Sequence, residues 1–86
     1  MAEQRIGVVI HYYGKIGVAG LSITDGELRV GDSIHIKGHV SDFNQRVDSI
    51  QIENEAVEVA RPGDEVGVRV TETVRRHDEV FRVTPG

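Results

Sequence analysis

Apolar residues in this chain recur at period two in short runs, and polar turns separate the runs. Ile6, Val8 and Ile10 alternate with Gly7, Val9 and His11, an extended pattern that leads into Tyr12-Tyr13 and a turn at Gly14-Lys15. Successive side chains of a strand point to opposite faces, so such alternation puts one face into a core. Residues 16–23 resume a strand rich in small residues (Gly17, Ala19, Gly20), which mark a bulge, a corner or close backbone approach. After a turn at Asp25-Gly26, Ile34 and Ile36 point one way and His35 and Lys37 the other. Residues 45–52 read as a further strand with Ile50 and Ile52 inward, and Val47 is out of phase, which predicts a bulge near Asp48-Ser49. Val57 and Val59 give a brief strand, Val66, Val68 and Val70 the cleanest alternation, and residues 80–83 the last strand. Residues 38–44 and 71–79 are polar and read as loops. No segment holds a helical period beyond a single turn at residues 56–61.

A repeated phrase organises these strands. Arg29-Val30-Gly31-Asp32-Ser33-Ile34-His35-Ile36 returns as Arg61-Pro62-Gly63-Asp64-Glu65-Val66-Gly67-Val68. A degraded third copy, Arg76-His77-Asp78-Glu79-Val80-Phe81-Arg82-Val83, has His77 in place of the glycine. Glycine reaches φ > 0 without penalty and aspartate accepts backbone hydrogen bonds, so Gly-Asp closes a tight turn that launches a strand. Asp32 and Asp64 are therefore turn formers. Seven or so short strands with regular turns predict an all-β barrel or sandwich.

Eighty-six residues make a single domain, spanning 1–86 with its core at about 5–84. A chain of this size buries roughly 60–65% of its unfolded surface. There is no cysteine, which excludes disulfides, zinc-thiolate sites and thiol catalysis. Without disulfides the fold depends on apolar packing and backbone pairing, which favours a closed barrel over an open sheet. No apolar run approaches the roughly 20 residues of a membrane-spanning helix. Met1-Ala2-Glu3-Gln4-Arg5 lacks signal-peptide character, so the expected location is cytoplasmic. A net charge of −4 argues against a general basic field for nucleic acid, while leaving room for a local basic patch.

Taken together, Gly7-Val8-Val9, the run from Gly14 to Ala19 and the run from Asp25 to Ile34 resemble the β-barrel domain that follows the GTPase domain in translation factors such as elongation factor Tu. Val47-Asp48-Ser49-Ile50-Gln51, the run from Ala60 to Val68 and Asp78-Glu79-Val80 agree in order and spacing. The chain is similar to stand-alone translation elongation factor-like proteins and to the barrel appended to some collagenase-type peptidases. The resemblance implies a small closed Greek-key barrel of six or seven strands. It does not imply nucleotide hydrolysis, since no Gly-x-x-x-x-Gly-Lys-(Ser/Thr) loop is present. In the full-length factors this barrel contacts tRNA, ribosomal RNA or the neighbouring GTPase domain.

Three groups of residues are candidates for binding. His11-Tyr12-Tyr13 with Lys15 is either a stacking platform with an adjacent charge or an aromatic cap on the barrel end. Lys37, His39, Phe43 and Arg46 belong to the mid-chain loop, where Phe43 is either an exposed contact or folded back over the barrel mouth. Arg69, Arg75, Arg76, His77 and Arg82 concentrate positive charge near the C-terminus, either as a patch for phosphate or an acidic partner or as a solvated strand pair. His35 and His39 lie about 13 Å apart on an extended segment; only a turn at Gly38 could bring them together, and no carboxylate is positioned to complete a metal site. No serine or carboxylate pattern marks a reaction centre, so no cofactor, metal or enzymatic activity is expected. The expectation is a non-enzymatic binding module that docks on RNA, a ribosome- or tRNA-linked surface or a partner protein. The alternative is an accessory or positioning subunit for a collagenase-like peptidase.

Overall fold

The computed structural model describes residues 2–84. Ten strands follow one another: β1 (Ala2–Tyr13), β2 (Val18–Ile23), β3 (Leu28–Arg29), β4 (Ser33–Lys37), β5 (Asp42–Arg46), β6 (Ile50–Ile52), β7 (Glu55–Val57), β8 (Val59–Ala60), β9 (Glu65–Arg69) and β10 (Glu79–Thr84). Eight form one antiparallel sheet in the order β5-β4-β10-β1-β2-β9-β6-β7, and β3 pairs with β8 in a separate ribbon. The all-β expectation holds. The strand count and the closure differ.

The ladder is open, because β5 and β7 each have a single neighbour in the sheet. The β3–β8 ribbon stands between those two edges. Val30 N–H donates to Glu58 O at 3.0 Å, Gly31 N–H to Val47 O at 2.8 Å, and Val47 N–H to Asp32 O at 2.8 Å. The ends of the sheet are thus tied through two short strands and a few single bonds rather than by a continuous register. Short strands broken by bulges are what split the expected six or seven into ten. Val47 is the clearest instance: β5 stops at Arg46, β6 starts at Ile50, and Val47 between them is buried. Part of the segment read as a loop is strand, since β5 begins at Asp42 and pairs along β4 from Lys37↔Asp42 to Ser33↔Arg46.

The longest strand, β1, lies between β10 and β2 and shifts register against each, between Arg5 and Gly7 on one side and between Val9 and His11 on the other. These bulges turn Ile6 and Val9 inward and leave Val8 and Ile10 half-buried. The core they enter is continuous and includes Leu21, Ile23, Ile34, Ile36, Ile50, Val66, Val68 and Val80.

The repeated phrase folds identically in its three places. In each, the aspartate carboxylate accepts the N–H of the arginine three residues earlier at 2.9 Å: Arg29 to Asp32, Arg61 to Asp64, and Arg75 to Asp78. The aspartate N–H donates back to the same arginine carbonyl at 3.0, 2.9 and 3.1 Å. The carboxylate thus reaches backward to the turn's start rather than two residues forward, and the third turn begins at Arg75 rather than Arg76. Its third position requires positive φ, which is 97° at Gly31, 96° at Gly63 and 78° at His77. A β-carbon on Gly63 would meet nothing within 4 Å, so the cost of substitution is purely conformational. Gly63→Val is therefore expected to destabilise by about 1–3 kcal/mol, and an unchanged midpoint in equilibrium unfolding would refute the turn's demand for glycine.

Candidate functional site

Among the described residues, grooves open on the outer surface in two places of interest. The first crosses the sheet where β1, β2, β9 and β6 run side by side. Cross-strand register sets His11 opposite Gly20, Gly20 opposite Gly67, and Gly67 opposite Gln51. Side chains in register share a face, so this outward row has two glycines at its centre and the sheet is bare there. The resulting trough holds about 350 Å³ and is rimmed by Tyr13, Ile16, Glu53 and Glu65. Tyr13 is 50% exposed. Its ring lies 4.3 Å from that of His11 at a 48° tilt.

The second groove, of about 440 Å³, lies between the 38–41 turn and the 75–78 turn. Strand β4 pairs with β10 through Lys37↔Glu79 and Phe81↔His35, which brings the residues after β4 to those before β10. Lys37, His39, His77, Glu79 and Phe81 line it. Beneath, the buried Asp78 carboxylate packs directly against Gly38 and leaves no room for a β-carbon there. Ser41, also buried, fastens the loop by donating to Thr73 O at 3.4 Å.

Beside this groove His35 is held between two carboxylates, donating from Nδ1 to Glu3 at 3.0 Å and from Nε2 to Asp42 at 2.5 Å. Both ring nitrogens face acceptors, which only the doubly protonated imidazolium can satisfy. The Asp42 hydrogen bond, followed by that to Glu3, raises the His35 pKa above its ordinary 6.5 against the opposing pull of burial. The same bond holds the Asp42 carboxyl below its ordinary 3.8. A raised folded-state value gives stability that is complete below the unfolded pKa and is lost as pH rises through the folded one. For Asp42 the sign reverses: its contribution is present above the unfolded pKa and lost as pH falls through the folded one. The melting temperature is thus expected to fall as pH rises from the low sixes through His35's raised pKa, and His35→Asn to remove that slope. A wild-type profile flat across that interval would contradict the arrangement.

The structure gathers some of the sequence's candidates and separates others. Lys37 and His39 meet His77, on the turn that also carries the exposed Arg75 and Arg76. Tyr13 stands at the first groove, whereas Tyr12 points inward and packs on the core. Lys15 is exposed in the 14–17 turn. Phe43 is 8% exposed and belongs to the core, so it is not a surface contact. Its place in β5, opposite Ile36, turns it inward. Arg46 and Arg69 are exposed at the corner where Gln45 Nε2 donates to Arg69 O at 2.8 Å, and they line neither groove. Arg82 leaves the basic patch, donating to Glu27 O at 3.0 Å and Gln4 Oε1 at 3.2 Å. The glycine floor and Phe81 were missed by sequence reasoning, because only strand pairing shows that Gly20 faces Gly67. Among the described residues, no group of three or more His, Asp or Glu side chains is placed to hold a metal.

Comparison with known proteins gives a consistent picture. Elongation factor Tu domain 2 matches residues 17–73. A collagenase of Porphyromonas gingivalis is 37% identical over 81 residues, covering 93% of this chain and 22% of that protein. An uncharacterized protease of Methanocaldococcus jannaschii is 36% identical over 78 residues, 90% of this chain and 19% of that protein. This chain therefore spans about a fifth of the length of the curated relatives it matches. Among solved structures, the C-terminal domain of a protein described as a U32 peptidase from Geobacillus thermoleovorans superimposes with a TM-score of 0.87 at 21% identity, over 94% of this chain and 93% of that one. That likeness is one of fold. The relatives are peptidases with further sequence rather than stand-alone translation factors, which corrects one half of the family expectation and supports the other.

Proposed function

The chain belongs to the elongation factor Tu domain 2 family, and from that premise we propose that it serves as a non-catalytic binding and positioning domain for a peptidase of the collagenase type. One observation carries the reading: almost the whole chain aligns with a minor segment of longer peptidases. On this reading the segment contributes to such a protein by contact, leaving bond cleavage to the remaining length, about four-fifths, of the relatives. The two surface grooves give it places for contact, and the ribbon across the sheet edges suits a rigid, barrel-like frame to carry them.

The test is co-purification from lysate with and without nuclease, using the tagged chain. A peptidase retained in both arms is the expected result. Ribosomal components that disappear on nuclease treatment, with no peptidase, would overturn the proposal in favour of RNA docking. Recovery of neither would overturn both.

A further inference from the structure

We propose that the groove between the 38–41 and 75–78 turns holds an acidic segment of a polypeptide partner, with Lys37, His39 and His77 receiving its carboxylates. The inference rests on the binding-domain reading and names the chemistry of what is bound.

The three copies of the Arg-x-x-Asp turn provide an internal comparison. Two place glycine at the position of positive φ, at 97° and 96°, and the third places His77 there at 78°. A residue with a β-carbon is strained in that region, and glycine would not be. The chain accepts the strain in only one of three equivalent turns, the one whose third side chain lines a groove. Elsewhere only Glu53 and Asn54, in the β6–β7 hairpin, are non-glycine residues at positive φ among the described residues. Within the repeated turn the exception is His77 alone, which points to a use for its side chain.

The surrounding charge identifies the occupant. Among the described residues Arg5, Arg29, Arg61 and His35 are engaged in ion pairs, whereas Lys37, His39, Arg75, Arg76 and His77 are in none. Lys15, Arg46, Arg69 and Arg82 are likewise in none but are scattered. These five instead share one end of a chain whose net charge is −4, with Lys37 opposite Asp42 on β5 and Glu79 on β10. Glu79 shares the groove wall and Glu72 lies in the adjoining loop, which disfavours a run of phosphates but leaves room for separated carboxylates. Nucleic-acid affinity grows with the number of phosphates neutralised, and this patch is too small and too mixed for that. Phe81 on the same wall gives an apolar side chain beside the carboxylates something to cover.

The experiment is fluorescence anisotropy at low salt with the full chain and three labelled probes: the peptide Gly-Asp-Leu-Asp-Gly, its Asn counterpart and a short single-stranded RNA. The Asp peptide is expected to bind at least tenfold more tightly than the Asn peptide and more tightly than the RNA. Lys37→Ala, on an exposed side chain, should weaken binding several-fold. His77→Gly should weaken it as well while keeping or raising the melting temperature, an outcome that a purely structural role for His77 would not give. Equal binding of the two peptides, tighter binding of RNA, or full affinity in both variants would overturn the inference. Equal peptide binding together with a peptidase retained in the pull-down would remove this inference alone. Selective Asp-peptide binding with no retained peptidase would remove the positioning reading alone.

Discussion

Gly7→Ala is expected to destabilise the fold by about 3 kcal/mol or more, at or above the upper end of the usual cost of overpacking a filled interior. Gly7 pairs with Ile23 on one side and Val80 on the other, so it lies at the centre of three adjacent strands. A β-carbon there would fall on the Ser22 carbonyl oxygen. That obstacle is backbone, which cannot rotate aside as a side chain can. Relief would require β2 to move away from β1, and β2 is held on its far side by β9 over five register pairs from Val18↔Arg69 to Ser22↔Glu65. Gly20→Ala is the matched control: its β-carbon would meet His11 Cβ at an ordinary 3.5 Å. Replacing a strand glycine with alanine there should be neutral or stabilising by up to about 1 kcal/mol. For a domain this small, about 3 kcal/mol corresponds to a fall of at least about 10 °C in melting temperature. Equal midpoints for the two variants would show that the approach of β1 to Ser22 is not a constraint.

What could be read from the sequence was local. The Gly-Asp turns announce themselves because glycine's conformational freedom and a carboxylate within reach of nearby N–H groups act over four residues. The break around Val47 showed as a phase error in the alternation for the same reason. Phe43 was ambiguous because its neighbours, Asp42 and Asn44, are polar whether it lies in a loop or on an edge strand. Only its pairing with Ile36 settles the direction of the side chain. Both grooves depend on contacts of this second kind. His39 and His77 are far apart in the chain and meet because β4 and β10 are partners, and the bare floor of the other groove exists because β2 and β9 are. No single-residue pattern encodes which strands pair, so the basic residues were visible as a list while their grouping was not. The resemblance to translation factors carried the all-β class and the order of the strands' motifs, but not the closure, since the sheet runs from β5 to β7 without joining its ends.

Leu21→Ala is expected to cost about 3–5 kcal/mol, whereas Ile16→Ala, five residues earlier, should stay within about 0.5 kcal/mol. The sequence places both in one extended segment of aliphatic character, and the alternation gives no reason to rank them. The structure separates them completely. Leu21 is fully buried and lies in register with Val9 on β1 and Val66 on β9, so its side chain is enclosed by two strands that are themselves fixed on their outer sides. A cavity left there has little means of collapse, which places the substitution toward the costly end of the leucine-to-alanine range. Ile16 precedes β2, in the turn where its N–H donates to Tyr13 O at 3.2 Å, and it is 62% exposed. Its side chain adds apolar surface to the rim of the first groove and nothing to the core. Urea unfolding of the two variants checks the pair directly. Comparable losses of stability would mean that the 14–17 turn packs inward and that the first groove is filled by the protein's own residues, while the predicted separation leaves Ile16 free to face a partner.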